Sequence, residues 1–162
     1  MKRIGILGDI GSGKTYVAKC FGFPVFNADL EVAKIYKNDK KVFQKLKKEL
    51  PQHFNSFPIK KKEIIDAILS NKMNLRKIIK IVHYEVRKKM NNFLKKNKNK
   101  KLVVLDIPLL LENKINNKKD ILIFVESKKS EILKRLKKRK NFNIKILNNF
   151  KKIQLSLAFK KK

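Results

Sequence analysis

The alternation of apolar and polar positions predicts a chain of alternating strands and helices. Residues 2–7, 101–107 and 121–125 are short and almost continuously apolar, as is typical of strands buried in a parallel sheet. The shorter run Phe23-Pro24-Val25-Phe26, which leads into Asn27-Ala28-Asp29, predicts one more strand. Helical spacing of apolar residues predicts helices at 16–21, 30–36, 40–50, 60–69, 73–94, 130–138 and from 144 onward. Strands that alternate with helices favour a doubly wound α/β fold with a parallel sheet.

A glycine-rich segment separates the first predicted strand from the first predicted helix. Its sequence, Gly8-Asp9-Ile10-Gly11-Ser12-Gly13-Lys14-Thr15, matches the phosphate-binding pattern G-x-x-x-x-G-K-[ST]. Three of the chain's 5 glycines lie here, and Thr15 is its single threonine. An ordinary glycine-rich turn before a helix is the alternative, but the flanking strand and helix are the context that the motif requires.

Each residue type in this segment suits the binding of a triphosphate. Glycines let successive N–H groups point inward around an anion, and the start of a helix adds further donors. The Lys14 ammonium can reach the β- and γ-phosphates, and the Thr15 hydroxyl can ligate Mg²⁺. The segment therefore predicts binding of a nucleoside triphosphate with Mg²⁺. The predicted ATP-binding residues here are Gly11, Ser12, Gly13, Lys14, Thr15 and Tyr16.

The composition is that of a single globular domain. The chain has 162 residues, of which 43% are hydrophobic, and no stretch approaches the ~20 apolar residues of a membrane span. Its first residues lead directly into a predicted strand, so no secretory signal is expected. The one cysteine, Cys20, is expected to be a small buried residue of the first helix, in a reducing compartment. We expect a cytoplasmic monomer without membrane contacts.

The formal net charge of +30 raises the question of a nucleic-acid partner. Only five of the 43 basic residues are arginines, and the lysines are spread through every segment. Specific readers of nucleic acids depend on arginine for bidentate contacts, so we expect no specific nucleic-acid partner. Such a surface should still bind polyanions at low salt and attract anionic nucleotides. A nucleic-acid-binding ATPase remains an alternative.

Three further clusters follow the glycine-rich segment in order along the chain. They are Asn27-Ala28-Asp29, His83-Tyr84-Glu85-Val86-Arg87 and the run from Leu105 through Pro108-Leu109-Leu110-Leu111 to Glu112. Together the four segments resemble the dephospho-coenzyme A kinase family, which typically carries G-G-I-G-S-G-K-[ST], Asp-Ala-Asp, His-Pro-x-Val-Arg and Pro-Leu-Leu-x-Glu. The resemblance implies a P-loop α/β/α fold of three layers with a central parallel sheet, a helical acceptor-binding insertion and a basic lid.

The resemblance also implies an activity and a division of the chain. The activity is ATP-dependent phosphorylation of the ribose 3′-hydroxyl of dephospho-coenzyme A, the last step of coenzyme A synthesis. The implied core is about 1–29 and 100–162, with an acceptor-binding region at about 30–99 and a lid at about 133–145. A related kinase that acts on a nucleoside or a nucleotide is the alternative enzyme.

The resemblance gives Asp29 a catalytic role. Asp29 matches the second acid of the family's Asp-Ala-Asp and would accept or orient the proton of the acceptor hydroxyl. Its position alone is equally compatible with the N-cap of a helix that begins at Leu30. Asn27 replaces the first acid and loses its charge, so we expect no catalytic role for it.

The other implied acceptor-binding residues are His83, Arg87, Pro108 and Leu109. A lone histidine on a helix is more often a packed structural residue, and Tyr84 stands where the family usually has proline. Arg87 could be a surface charge or could hold a substrate phosphate with its planar guanidinium. The segment that starts with Pro108 is expected to shape the acceptor pocket rather than to do chemistry.

Charged residues near the other predicted strand ends complete the expected site. Asp106 closes a strand, where sites of parallel sheets gather, and could help to organise Mg²⁺; Glu112 is expected to be a structural acid.

Arg135 and Arg139 lie on a basic helix that resembles the lid, where they would bind ATP and neutralise the transferring phosphate. A solvated lysine-rich helix face is the alternative. Lys14, Asp29 and Arg139 are thus the expected catalytic residues.

One departure from the family concerns the C-terminal part of the chain. Members of the family continue past the region that corresponds to Gln154-Leu155-Ser156 into a final strand and a last helix. These elements complete the sheet and contact the adenine of ATP. The resemblance therefore implies that residues 1–162 lack this strand and helix.

Overall fold

The described part of the chain separates into two compact units. The computed structural model describes residues 1–139 and 142–161. We call Met1–Ala28 with Phe93–Lys162 the sheet unit, and Asp29–Asn92 the helical unit. The predicted lid at about 133–145 includes residues 140 and 141, which lie outside the described residues.

The sheet unit is built on four parallel strands. These are β1 (Lys2–Gly8), β2 (Val25–Asn27), β3 (Leu102–Asp106) and β4 (Ile121–Val125), in the order β2-β3-β1-β4. The predicted α/β class with a parallel sheet is therefore confirmed. Within the described chain only β1 pairs with β4, and Ile121 and Leu122 are consequently 45% and 41% exposed.

The first helix, α1 (Lys14–Cys20), covers one face of this sheet. Ile4, Ile6 and Val104 of the central strands pack there with the buried Ala18. Cys20, two residues later, is exposed, so the expectation that it is buried was wrong. Each helical residue turns the side-chain direction by about 100°, so a residue two positions after a sheet-facing alanine points away from the sheet.

A glycine allows close packing on the opposite face of the sheet. A Cβ atom on Gly5 would lie 2.5 Å from Leu110 Cδ2 and 3.0 Å from Leu122 Cδ2. The missing side chain thus lets the segment after β3, which includes Pro108, lie directly on β1. The buried Leu110 fixes the position of this segment.

In the described part of the sheet unit, three helices follow β4: α6 (Lys129–Lys137), α7 (Ile144–Ile153) and α8 (Leu157–Lys161). The sequence predicted continuous helix from Ile144 onward, but the structure divides it. The Ser156 hydroxyl accepts a hydrogen bond from the Phe159 N–H at 3.2 Å and so caps a new helix. Serine competes for backbone groups in this way, which is why it favours helix starts.

The helical unit is built from four helices: α2 (Ala28–Asn38), α3 (Lys40–Glu49), α4 (Lys61–Ser70) and α5 (Lys72–Lys96). The first residue of α2 and the last four residues of α5 are assigned to the sheet unit. Asp39 caps α3, where its carboxylate accepts the Val42 N–H at 3.1 Å. None of the helices among residues 1–139 and 142–161 is both long and apolar enough to span a membrane. Buried positions recur every three or four residues along α5, as expected for an amphipathic helix: Leu75, Ile78, Val82, Val86 and Met90.

A carboxylate fastens the loop that precedes α4. Glu63 accepts hydrogen bonds from the N–H groups of Lys60 at 2.8 Å, Asn55 at 3.0 Å and Ser56 at 3.2 Å. Partial burial by itself raises the pKa of Glu63, but these hydrogen bonds to the charged form outweigh it and leave the pKa below its usual value. The charged carboxylate therefore organises this loop.

A buried ion pair ties α8 to the segment after β3. Lys160 Nζ lies 2.7 Å from Glu112 Oε1, and both side chains are almost fully buried. The same Glu112 oxygen also accepts the Leu155 N–H at 2.9 Å. Glu112 is thus the structural acid that the sequence suggested. The neighbouring Lys161 pairs with Glu126 at the surface instead.

The two adjacent lysines provide a matched test of this pair. Lys160→Met should lower the free energy of unfolding by about 3 kcal/mol, because it leaves a buried carboxylate without its counter-ion. Lys161→Met breaks only an exposed pair and should cost at most about 1 kcal/mol. Urea denaturation of the two variants measures the difference. Equal losses would contradict the buried pair.

Candidate active site

We call residues 8–15, from the end of β1 to the start of α1, the phosphate loop. Its glycines determine its shape. Gly8 has φ +143°, and a Cβ atom there would lie 2.5 Å from the Val125 carbonyl oxygen and 2.8 Å from Ser12 Oγ. Backbone cannot yield to such a contact, so only glycine fits. Gly13, with φ +101°, occupies the left-handed region at the N-cap of α1. The loop therefore turns tightly between strand and helix.

Lys14 holds its charge inside the phosphate loop. Its ammonium donates hydrogen bonds to the Asp9 carbonyl at 2.7 Å and to the Gly8 carbonyl at 3.3 Å, and the residue is buried. A buried ammonium needs such partners to offset its lost hydration. The positive charge thus lies where an anion bound by the loop would sit.

A carboxylate from β3 meets the hydroxyl of the phosphate loop. Thr15 Oγ1 donates to Asp106 Oδ2 at 2.6 Å, and Asn27 Nδ2 donates to the same oxygen at 2.6 Å. Asp106 is only 3% exposed. Because Thr15 gives its proton to Asp106, the lone pairs of its oxygen remain available to a cation. An oxygen-rich pair of this kind fits Mg²⁺.

The sequence led us to expect no catalytic role for Asn27, and in the structure its amide helps to hold Asp106 in place. The two residues are register partners at the ends of β2 and β3. Their contact depends on β2 lying next to β3, and the apolar pattern does not reveal strand order. An amide at the end of a strand was the only available signal.

Two further side chains bind the backbone of the phosphate loop. The Ser12 carbonyl accepts a hydrogen bond from Ser127 Oγ at 2.8 Å and one from Arg135 Nη1 at 3.3 Å. Arg135 Nη1 also lies 3.4 Å from Ser127 Oγ. Arg135, singled out in the sequence, thus lies at the loop, whereas Ser127 was not foreseen. Within the described chain the buried Ser12 Oγ has no hydrogen-bond partner.

Helix α6 packs against the same loop. A Cβ atom on Gly11 would approach Leu136 Cγ to 3.0 Å and Ile132 Cγ2 to 3.2 Å. Ile10 of the loop also joins the apolar cluster that contains these two side chains. Arg139, the expected catalytic arginine, is exposed two residues beyond the end of α6.

Asp29 lies in the helical unit, inside the first turn of α2. This helix begins at Ala28 rather than Leu30, so the prediction that Asp29 could be its N-cap was wrong. Strand β2 ends at Asn27 and the helix begins at the next residue, Ala28. The residue that precedes the helix is therefore Asn27 and not Asp29. A carboxylate in the first turn still interacts favourably with the helix dipole.

The remaining expected residues lie on two different elements. His83 and Arg87 lie four residues apart on α5 and so share one face of that helix. His83 is half-buried and Arg87 is exposed. Pro108 and Leu109 follow β3 in the sheet unit and are half-buried, while Tyr16 on α1 is 75% exposed. The sheet unit thus brings together the phosphate loop, Asp106 and Arg135, whereas Asp29, His83 and Arg87 belong to the helical unit.

Comparison with protein families shows what the chain is similar to. A family profile described as "CoaE: Dephospho-CoA kinase" matches residues 2–162. A dephospho-CoA kinase of Wolbachia sp. subsp. Brugia malayi is 36% identical over 114 residues, which cover 67% of this chain and 58% of that protein. One from Bartonella henselae is 35% identical over 117 residues, covering 69% and 60%. The match thus spans about three fifths of the length of these relatives.

A solved structure extends the likeness to the fold. The crystal structure of TT1252 from Thermus thermophilus superimposes with a TM-score of 0.76 at 25% sequence identity, covering 99% of this chain and 83% of that chain. The profile match runs through the phosphate loop, Asp106 and the segment that follows it. On this evidence the chain belongs to the dephospho-CoA kinase family.

Proposed function

We propose that the chain catalyses transfer of the γ-phosphoryl group of ATP to the ribose 3′-hydroxyl of dephospho-coenzyme A, the last step of coenzyme A synthesis. The observation that carries the proposal is the contact between Thr15 of the phosphate loop and Asp106 at the end of β3, in a chain of this family. A loop for phosphates and a pair of oxygens for a cation are what phosphoryl transfer requires.

The phosphate loop is the proposed binding site for the triphosphate. Its inward N–H groups would take the phosphate oxygens, and Lys14 would exchange its hydrogen bonds to loop carbonyls for the outer phosphates. Gly11, Ser12, Gly13 and Tyr16 complete this site. The unpaired Ser12 hydroxyl is a further donor inside it.

Thr15 and Asp106 are the proposed holders of Mg²⁺. The ion would neutralise charge on the β- and γ-phosphates during transfer. Asp106 accepts the Thr15 proton, which orients the hydroxyl oxygen toward a cation. Asn27 keeps Asp106 in position from the neighbouring strand.

The helical unit, Asp29–Asn92, is the proposed acceptor-binding region. Asp29 would orient the 3′-hydroxyl and accept its proton, as the family resemblance implies. His83 and Arg87, one turn apart on α5, would bind the acceptor, with the Arg87 guanidinium suited to a phosphate. Pro108 and Leu109 are further proposed acceptor-binding residues, as the family resemblance implies.

Arg135 and Arg139 are the proposed cations of the lid. Arg135 lies at the phosphate loop in this structure, where it is already suited to contact ATP. Arg139 would stabilise charge on the transferring group. We place the enzyme in the cytoplasm as a monomer without a specific nucleic-acid partner. The single cysteine and the dispersed lysines support this setting.

Direct product analysis tests the proposal. Protein mixed with ATP, Mg²⁺ and dephospho-coenzyme A should form coenzyme A, detected by mass spectrometry.

Lys14→Ala should lower turnover by at least about 10²-fold, because the variant loses a preorganised charge at the phosphates. Lys19→Ala, an exposed lysine of the same helix, is the matched control. A Lys14 variant as active as the control would refute the role of the loop, and phosphorylation of nucleosides instead would favour the alternative kinase.

Asp29→Asn separates a catalytic role from a helix-stabilising one. Loss of the proton acceptor should lower kcat by about 10²–10⁴-fold while ATP binding is kept. Rapid-quench kinetics and calorimetric titration with ATP measure the two quantities. Asp66→Asn removes an exposed acid of the same unit and should change neither. Undiminished kcat in Asp29→Asn would leave Asp29 only its place in the first turn of α2.

Thr15→Val tests the magnesium site with a binding measurement. The variant keeps the shape of the side chain but removes the ligating oxygen, so the increase in ATP affinity on adding Mg²⁺ should fall by at least about tenfold. Thr15→Ser retains the hydroxyl and should restore it. Calorimetric titrations with ATP, with and without Mg²⁺, give the comparison. The site is misassigned if Thr15→Val keeps the full magnesium effect.

A further inference from the structure

The Ser127 hydroxyl is not used by the proposed reaction, yet it is bound to the phosphate loop. Ser127 lies between β4 and α6, and it donates to the Ser12 carbonyl at 2.8 Å. It does not serve as the N-cap of α6, which is Lys128, and that N-cap makes no side-chain cap hydrogen bond. The hydroxyl therefore forms its hydrogen bond with the phosphate loop and does not cap the helix that follows it.

The position of Ser127 follows from strand pairing. Val125 at the end of β4 is the register partner of Gly8, where β1 enters the loop. Two residues further along the chain, Ser127 thus reaches a loop residue that is 115 positions away in sequence. The close backbone contact that Gly8 permits with Val125 keeps this distance short.

The orientation of the Ser12 carbonyl decides the direction of a loop N–H group. A peptide unit is planar and trans, so its C=O and N–H point in opposite directions. The N–H in the same peptide unit as the Ser12 carbonyl belongs to Gly13. Because the Ser12 carbonyl points toward Ser127 and Arg135, the Gly13 N–H points away from these side chains.

We infer that Ser127 is a positioning residue for the triphosphate: its hydroxyl fixes the Ser12–Gly13 peptide so that the Gly13 N–H faces the bound phosphates. Gly13 has φ +101°, and because it lacks a side chain its φ and ψ angles, which set the orientation of the adjoining peptide units, can change more easily than those of other residues. A hydrogen bond to the Ser12 carbonyl therefore directly limits the orientation of the Gly13 N–H in the phosphate loop. The inference deepens the proposed function and rests on ATP binding by the phosphate loop.

Ser127 acts differently from Arg135, its neighbour on the same carbonyl. Arg135 is exposed, and its two contacts at 3.3 Å and 3.4 Å are longer than that of Ser127. A guanidinium that turns toward phosphate oxygens would give up the carbonyl. The Ser127 hydroxyl would then be the remaining donor that keeps the Ser12 carbonyl outward.

Ser127→Ala, Ser127→Thr and Ser130→Ala test this inference. Ser130 is exposed in the first turn of α6 and serves as the control. Calorimetry gives the affinity for ATP and for inorganic tripolyphosphate, both with Mg²⁺, and steady-state kinetics give KM for each substrate. Ser127→Ala should weaken both ligands and raise KM for ATP by about three- to tenfold, as expected for one lost hydrogen bond. KM for dephospho-coenzyme A should stay unchanged.

The two remaining variants separate positioning from general structural damage. Ser127→Thr keeps the hydroxyl and should bind both ligands like the wild type, as should Ser130→Ala. Wild-type affinity in Ser127→Ala, failure of Ser127→Thr to restore binding, or equal increases of both KM values would overturn the inference alone. A wild-type protein that binds neither ATP nor tripolyphosphate would overturn the proposed function and this inference with it.

Discussion

The parallel pairing of β1 with β3 on one side and β4 on the other is the constraint on which the site depends. The chain enters the phosphate loop at the end of β1, and the ends of both neighbours lie beside it. Strand β3 delivers Asp106 to Thr15, and β4 leads to Ser127, which binds the Ser12 carbonyl. In parallel sheets all carboxyl ends share one edge, so three distant segments meet without any local signal.

Glycine decides how closely these segments approach. The missing side chain of Gly8 lets the loop lie against the β4 backbone, and that of Gly5 lets Leu110 rest on the sheet. Both positions are crossed by other parts of the chain, so an added carbon atom would displace backbone or buried side chains. Glycine is scarce elsewhere in the chain, because it destabilises a helix or strand where no close approach requires it.

The charge of the protein has two physically different parts. Most of the net charge of +30 is carried by lysines dispersed over the surface, where it forms a general field that attracts anionic substrates. Among the lysines that the structure describes, two are buried and individually compensated: Lys14 by loop carbonyls and Lys160 by Glu112. Buried cations need such specific partners, whereas surface cations are solvated by water. The composition alone therefore says little about which lysines matter.

The sequence by itself determined the strands, most of the helices and the phosphate loop, because apolar periodicity and the glycine pattern are local properties. Three details of the helices were wrong: Cys20 is exposed, Asp29 lies one residue inside its helix, and the last predicted helix is divided at Ser156. Asn27 and Ser127 gained their contacts only from strand order and register. Those depend on the packing of the whole sheet, since hydrogen bonds between residues about a hundred positions apart leave no trace in either segment alone.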